Sequence, residues 1–165
     1  MLATITLSAF LAGAVVCDFV NHRIPNYYLL LGMLAALVVQ GWTLGLAGLT
    51  ASGAGLLIGF ALFIPLYAFG GMAAGDVKLM AVVGSFIGMD DALWAGACSL
   101  IAGGILGVLY LLYKGQFGRL IQRYWAMTCL RSYIPAEEGD AARHRFPYAI
   151  AIATGTLVSL YWAPL

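Results

Sequence analysis

Charged side chains are scarce in this sequence: Asp, Glu, Lys and Arg together make up 9% of its 165 residues. Soluble domains carry about a quarter. So few charges cannot cover a globule in water, whereas a surface facing lipid tails needs none, and a water-soluble fold is excluded. What charge there is nearly cancels, at +1, which removes the basic footprint that a nucleic-acid partner requires. Cysteine is equally sparse. Cys17, Cys98 and Cys129 share no metal-ligand spacing, and the first two lie in apolar stretches where a thiol acts as a small core residue. The basic n-region of a secretory signal is also missing, so residues 1–16 are read as a retained first span.

What the sequence has in quantity is apolar length, with 63% of residues hydrophobic. A membrane-crossing helix takes roughly 20 mostly apolar residues. Apolar runs fall at about 2–17, 27–45, 47–69, 79–89, 92–113 and 147–163. The expected fold is therefore all-α: one polytopic helix bundle over residues 1–165 with six transmembrane helices. The fourth run is too short for a full bilayer, so the chain before it is expected to start inside the membrane. Irregular backbone at that depth is tolerated only beside a protein or water cavity, which marks the fourth run as a candidate site.

Basic residues set the orientation. All eight, Arg23, Lys78, Lys114, Arg119, Arg123, Arg131, Arg143 and Arg145, fall on the first, third and fifth connections, while Asp90 and Asp91 occupy the other side. Positive charge stays inside, so these connections are assigned to the cytoplasm and both termini to the outside. Within the long fifth connection, Arg119 and Arg123 alternate with Leu120, Ile121, Tyr124 and Trp125, an amphipathic pattern suited to the lipid headgroups. Glu137, Glu138 and Asp140 behind it read as a solvated loop, with contact to a basic substrate segment as the alternative. Glycine pairs four apart (Gly55/Gly59, Gly84/Gly88, Gly103/Gly107) read as close helix packing.

Of the seven acidic residues, two border apolar spans on the cytoplasmic side: Asp18 at the end of the first run and Asp76 just before the fourth. Ionisable groups there are costly and usually turn toward a bundle interior. If the two meet, they cannot both ionise cheaply and must share a proton. The ionised carboxylate then takes a proton from water, and the protonated one polarises a peptide carbonyl and protonates the leaving amine. Such chemistry needs no metal and no cofactor. The alternative is that each Asp separately caps a helix or pairs with Arg23 or Lys78. His22 and His144 lack metal-ligand partners and read as ordinary interfacial residues. Around the two acids, Pro25 stops helix continuation, and Gly75 leaves room for a closely approaching backbone.

Three segments carry a resemblance: Asp18-Phe19-Val20-Asn21-His22-Arg23-Ile24-Pro25-Asn26, Ala73-Ala74-Gly75-Asp76-Val77-Lys78, and Phe146-Pro147-Tyr148-Ala149-Ile150-Ala151. Together they resemble the type IV prepilin peptidases, membrane aspartyl proteases of the GxGD class. The resemblance implies that Asp18 and Asp76 are catalytic, with Pro25, Asn26, Ala73, Gly75 and Lys78 supporting them. Lys78 reads either as a snorkelling interfacial charge or as a counter-charge to the dyad. The implied substrates are prepilins or pseudopilins with a basic leader, cut at the cytoplasmic face of a bacterial inner membrane, with lipids as the other partners. Two features depart from the family pattern. Ala73 replaces its first glycine, a penalty if the site needs a positive φ. The paired cysteines of the methylating members are missing, which resembles the short Tad/Flp branch that cleaves without N-methylation. Two rival readings are an ion- or proton-coupled transporter, disfavoured by the lack of an internal repeat, and a non-catalytic pilin-assembly partner.

Overall fold

The computed structural model describes residues 1–21, 23–113, 115 and 148–162. Among the described residues the chain is entirely helical, with five helices: α1 (Leu2–Asn21), α2 (Asn26–Ala68), α3 (Ala74–Ile87), α4 (Met89–Tyr113) and α5 (Tyr148–Trp162). Three stretches are long and apolar enough to cross a membrane: Leu2–Asn21, Asn26–Ala68 and Met89–Tyr110. The expected amphipathic segment, the acidic loop, His22, His144 and Cys129 lie outside the described residues.

Two compact units divide the chain, Met1–Gly103 with Pro147–Leu165 as one and Gly104–Phe146 as the other. In the second, the last turns of α4 end where the Gly115 amide, at φ 65°, donates to the Leu112 carbonyl at 3.0 Å.

α2 is a single helix only in name. At Gly45 the backbone takes φ 62°, ψ −138°, a left-handed conformation that glycine reaches without the Cβ clash other residues meet. The limbs on either side, 26–44 and 46–68, run in opposite directions along α3. Asn26 faces Lys78 and Gln40 reaches Phe86 on the first limb, whereas Gly55 meets Gly84 and Gly59 meets Met80 on the second. Each limb is about 28–35 Å long at 1.5 Å per residue, close to one hydrocarbon thickness. These limbs correspond to the second and third apolar runs, with the turn compressed into one residue.

α3 is the buried centre of this unit. Its 14 residues span only about 21 Å, yet ten of them from Asp76 to Phe86 are buried. Protein surrounds it, so its shortness does not set its apolar side chains against lipid headgroups. Two devices make the fit. Gly55 and Gly84 approach backbone to backbone, each occupying the space the other's Cβ would need; the glycine pairs thus act as packing surfaces. At the far end of α3, the Gln40 side-chain amide donates to the Phe86 carbonyl at 2.6 Å, satisfying one of the carbonyls a helix end leaves free. Elsewhere, aromatic rings fill glycine notches: Tyr28 sits over Gly13, stacks on Phe10 at 4.9 Å and donates to the Phe10 carbonyl at 2.7 Å.

Two boundaries differ from the apolar runs. α1 continues four residues beyond position 17 to Asn21, and α3 begins at Ala74 rather than near 79. Both shifts absorb a polar stretch into a helix, and both put an aspartate inside a helix rather than beside it. The reason at α3 is local: an acidic side chain in the first turn accepts a free amide and complements the helix dipole.

Candidate active site

Asp18 lies on the last turn of α1 and Asp76 on the first turn of α3; both are buried, at 8% and 6% exposure. The Asp76 Oδ2 accepts the Ala73 backbone N–H at 3.2 Å, and the Asp76 N–H donates to the Ala73 carbonyl at 3.1 Å. The capping alternative is thus real for Asp76: the carboxylate secures the start of its own helix. Asp18 is held from another direction. Its Oδ2 accepts the backbone N–H of Ala149, in the first turn of α5, at 3.4 Å. Asp18, far from Ala149 in sequence, is thus tied to the first turn of α5, whereas Asp76 is tied to the start of its own helix.

The supporting residues cluster around the start of α3. Pro25, at φ −64°, ψ 138°, ends an extended stretch and caps α2, its carbonyl accepting the amides of Tyr28 and Leu29. Ile24 and Asn26 flank this proline, Asn26 as the first residue of α2. They meet Gly75 and Lys78, which are three apart on α3 and also share a face. The Ile24 side chain is buried and lies 3.9 Å from where a Cβ on Gly75 would be. The Lys78 Nζ donates to the Asn26 Oδ1 at 2.9 Å. This exposed bond links the Ile-Pro-Asn segment to the segment containing Asp76.

Two expectations about small residues resolve here. Ala73 adopts φ −84°, ψ 152°, extended backbone open to any residue, so no positive φ is demanded of it. The space at Gly75 is bordered by the Ile24 side chain, at an ordinary contact distance, and not by another backbone. The close backbone approaches occur instead at Gly55, Gly59 and Gly84.

Tyr148 and Ala149 are the residues to which the motif reading gave no role. Tyr148 sits edge-on to Phe63 at 6.3 Å, and its ring lies over Gly103 of α4. The available signal was Phe146-Pro147 immediately before an apolar run, since proline favours the start of a helix. Nothing in the sequence says which side chains that helix start would meet.

Long apolar helices and two buried aspartates at helix ends define a class: a helical membrane protein with buried acids. The family follows from comparison. Residues 5–112 match the model of the type IV leader peptidase family, and the chain belongs to that family. No curated protein and no solved structure matches the chain.

Proposed function

We propose that this protein is a membrane aspartyl endopeptidase that removes the basic leader from Flp-type prepilins or pseudopilins, using Asp18 and Asp76 as a general acid/base pair. Membership of a leader peptidase family supports the peptidase class. The observation that carries the mechanism is the burial of both carboxylates at helix ends within one compact unit.

The carboxyl pair carries one proton. The ionised member takes a proton from a water molecule, whose oxygen attacks the scissile carbonyl carbon. The protonated member donates to the carbonyl oxygen, giving a neutral tetrahedral diol. Collapse of the diol breaks the C–N bond as a proton passes to the leaving nitrogen, and the pair is left with a single proton again. Ala73, Gly75, Pro25, Asn26 and Lys78 hold the two segments in register around this pair.

The whole chain acts as one peptidase domain in a bacterial inner membrane. It crosses six times: α1, the two limbs of α2, a short α3 within the bundle, α4 and α5. The segregation of Lys and Arg supports termini outside and a site facing the cytoplasm, the side on which a prepilin leader waits. The lack of paired cysteines in the sequence supports cleavage without N-methylation.

The test is a gel-shift assay in proteoliposomes with a Flp-type precursor and the variants Asp18→Asn and Asp76→Asn. Wild-type protein should shorten the precursor, and both variants should insert normally but lose at least a hundredfold in rate. Variants that bind and cut like wild type would refute the dyad. A wild type that binds precursors without cutting them would point to an assembly partner.

A further inference from the structure

The match to the family model ends at residue 112, yet the Asp18 carboxylate accepts an amide hydrogen bond from residue 149. α5 therefore reaches the site from outside the matched region. The donor suits the task. Ala149 is the second residue of α5, and the first four amides of a helix have no partner within it, so this bond takes nothing from the helix ladder. Ala149 is fully buried and Asp18 nearly so, which keeps water from competing for either group. A backbone donor is also stiffer than a side chain, provided that the helix carrying it is fixed. α4 fixes α5 at two levels. About two turns into α5, Gly155 lies against the backbone of Ser99, and the Ser99 Oγ donates to the Ile152 carbonyl at 3.3 Å. At the start of α5, the Tyr148 ring fills the notch at Gly103 and stands edge-on to Phe63 of α2.

We propose that Ala149 is a positioning residue of the peptidase site, its backbone N–H fixing the orientation of the Asp18 carboxyl from α5. This inference rests on the two-aspartate reading. Asp18 stands on the last turn of α1, three residues before the helix ends at Asn21, and helix ends fray. An amide on a helix packed against two neighbours gives the carboxyl a reference that the end of its own helix lacks. The chemistry needs one, because catalysis is sensitive to errors of about 1 Å in a reacting group.

The experiment replaces Ala149 by lactic acid through nonsense suppression, which turns one backbone amide into an ester and removes the N–H alone. Ala149→Pro removes the same N–H by ordinary mutagenesis, in a first turn that tolerates proline. The control is the corresponding ester at Ala153, inside α5, which breaks a helix bond but leaves the donor to Asp18. Steady-state cleavage of a Flp-type precursor in proteoliposomes is measured for each, with Asp18→Asn and Asp76→Asn alongside. Precursor affinity is measured on Asp76→Asn with and without the Ala149 ester. The Ala149 ester and Ala149→Pro should lower kcat roughly tenfold, near the lower end of what a hydrogen bond to a charged group is worth. KM and precursor affinity should stay within about twofold, because a positioning contact acts on the chemical step. The Ala153 ester should keep kcat within about twofold of wild type. Wild-type kcat in the Ala149 ester would overturn the inference while the dyad stands. Equal losses in the two esters would show a general weakening of α5, and a change confined to KM would show a substrate contact; either equally overturns it. Cleavage surviving Asp18→Asn or Asp76→Asn would bring down the two-aspartate reading and this inference together.

Discussion

Gly55→Ala adds one methyl group to the second limb of α2 at a point where the Gly84 carbonyl already stands. The obstacle is backbone, so it cannot rotate aside, and relief requires α2 and α3 to separate. Overpacking of this kind costs about 1–3 kcal/mol, and an obstacle that cannot yield puts this position at the upper end. Replacing glycine by alanine inside a helix also returns roughly 1 kcal/mol. The net expectation is a loss of about 2 kcal/mol. Gly53→Ala is the internal control: it lies two residues away on the same limb, is exposed, and has nothing within 4 Å of its would-be Cβ. It receives the same helical gain without the clash and should be neutral or up to about 1 kcal/mol more stable. The two variants should thus differ by roughly 3 kcal/mol, or about a hundredfold in the folding equilibrium. Reversible unfolding in mixed micelles titrated with SDS, followed by circular dichroism, measures the difference directly. If Gly55→Ala unfolds at the same SDS fraction as Gly53→Ala, the helices do not meet at this point and the packing argument is refuted. Because α3 carries Asp76, the same Gly55→Ala protein should also cut more slowly.

Ala73→Gly restores the glycine of the family pattern, but the extended backbone at that position gains nothing from it. Precursor cleavage should not speed up, and stability should fall by about 0.4–1 kcal/mol through the freer unfolded chain; a faster enzyme would show that position 73 leaves its extended conformation during turnover. Gln40→Leu keeps the approximate size of the side chain but removes the donor to the Phe86 carbonyl, and SDS unfolding should register a loss of about 1–3 kcal/mol for the orphaned buried acceptor. An unchanged midpoint would mean that this carbonyl finds another donor.

Much of the helical layout was legible because lipid exposure imposes long apolar runs, and the limits of α2, α4 and α5 fall within a few residues of those runs. Boundaries failed where polar residues were taken into helices. Hydropathy sees Asp18 and Asp76 as interruptions, whereas the backbone treats Asp76 as a capping group and continues α1 past Asp18. The candidate aspartates stood out for the same reason: acids beside apolar spans are few. The roles of the glycines were only partly legible. A glycine pair indicates that some helix can come close, but not that Gly55 and Gly84 meet each other, nor that Gly103 seats a tyrosine. Gly75, beside the aspartate, drew attention by position, yet its neighbour is the Ile24 side chain. The segment around Tyr148 and Ala149 was visible as a motif, but the bond from Ala149 to Asp18 was illegible, because no local pattern encodes a contact at that separation.

The bond between Asp18 and Ala149 also has a consequence in time. The two residues are 131 positions apart, so one emerges early in synthesis and the other late. At about 5–20 residues per second, roughly 7–26 s separate them. Throughout that interval the first acid is in the membrane without the amide that will hold it, and its helix has only earlier-made helices as neighbours. Asp18 acquires this partner only when the first turn of α5 inserts beside it. The order of translation therefore leaves Asp18 without this bond until the other described helices have been made.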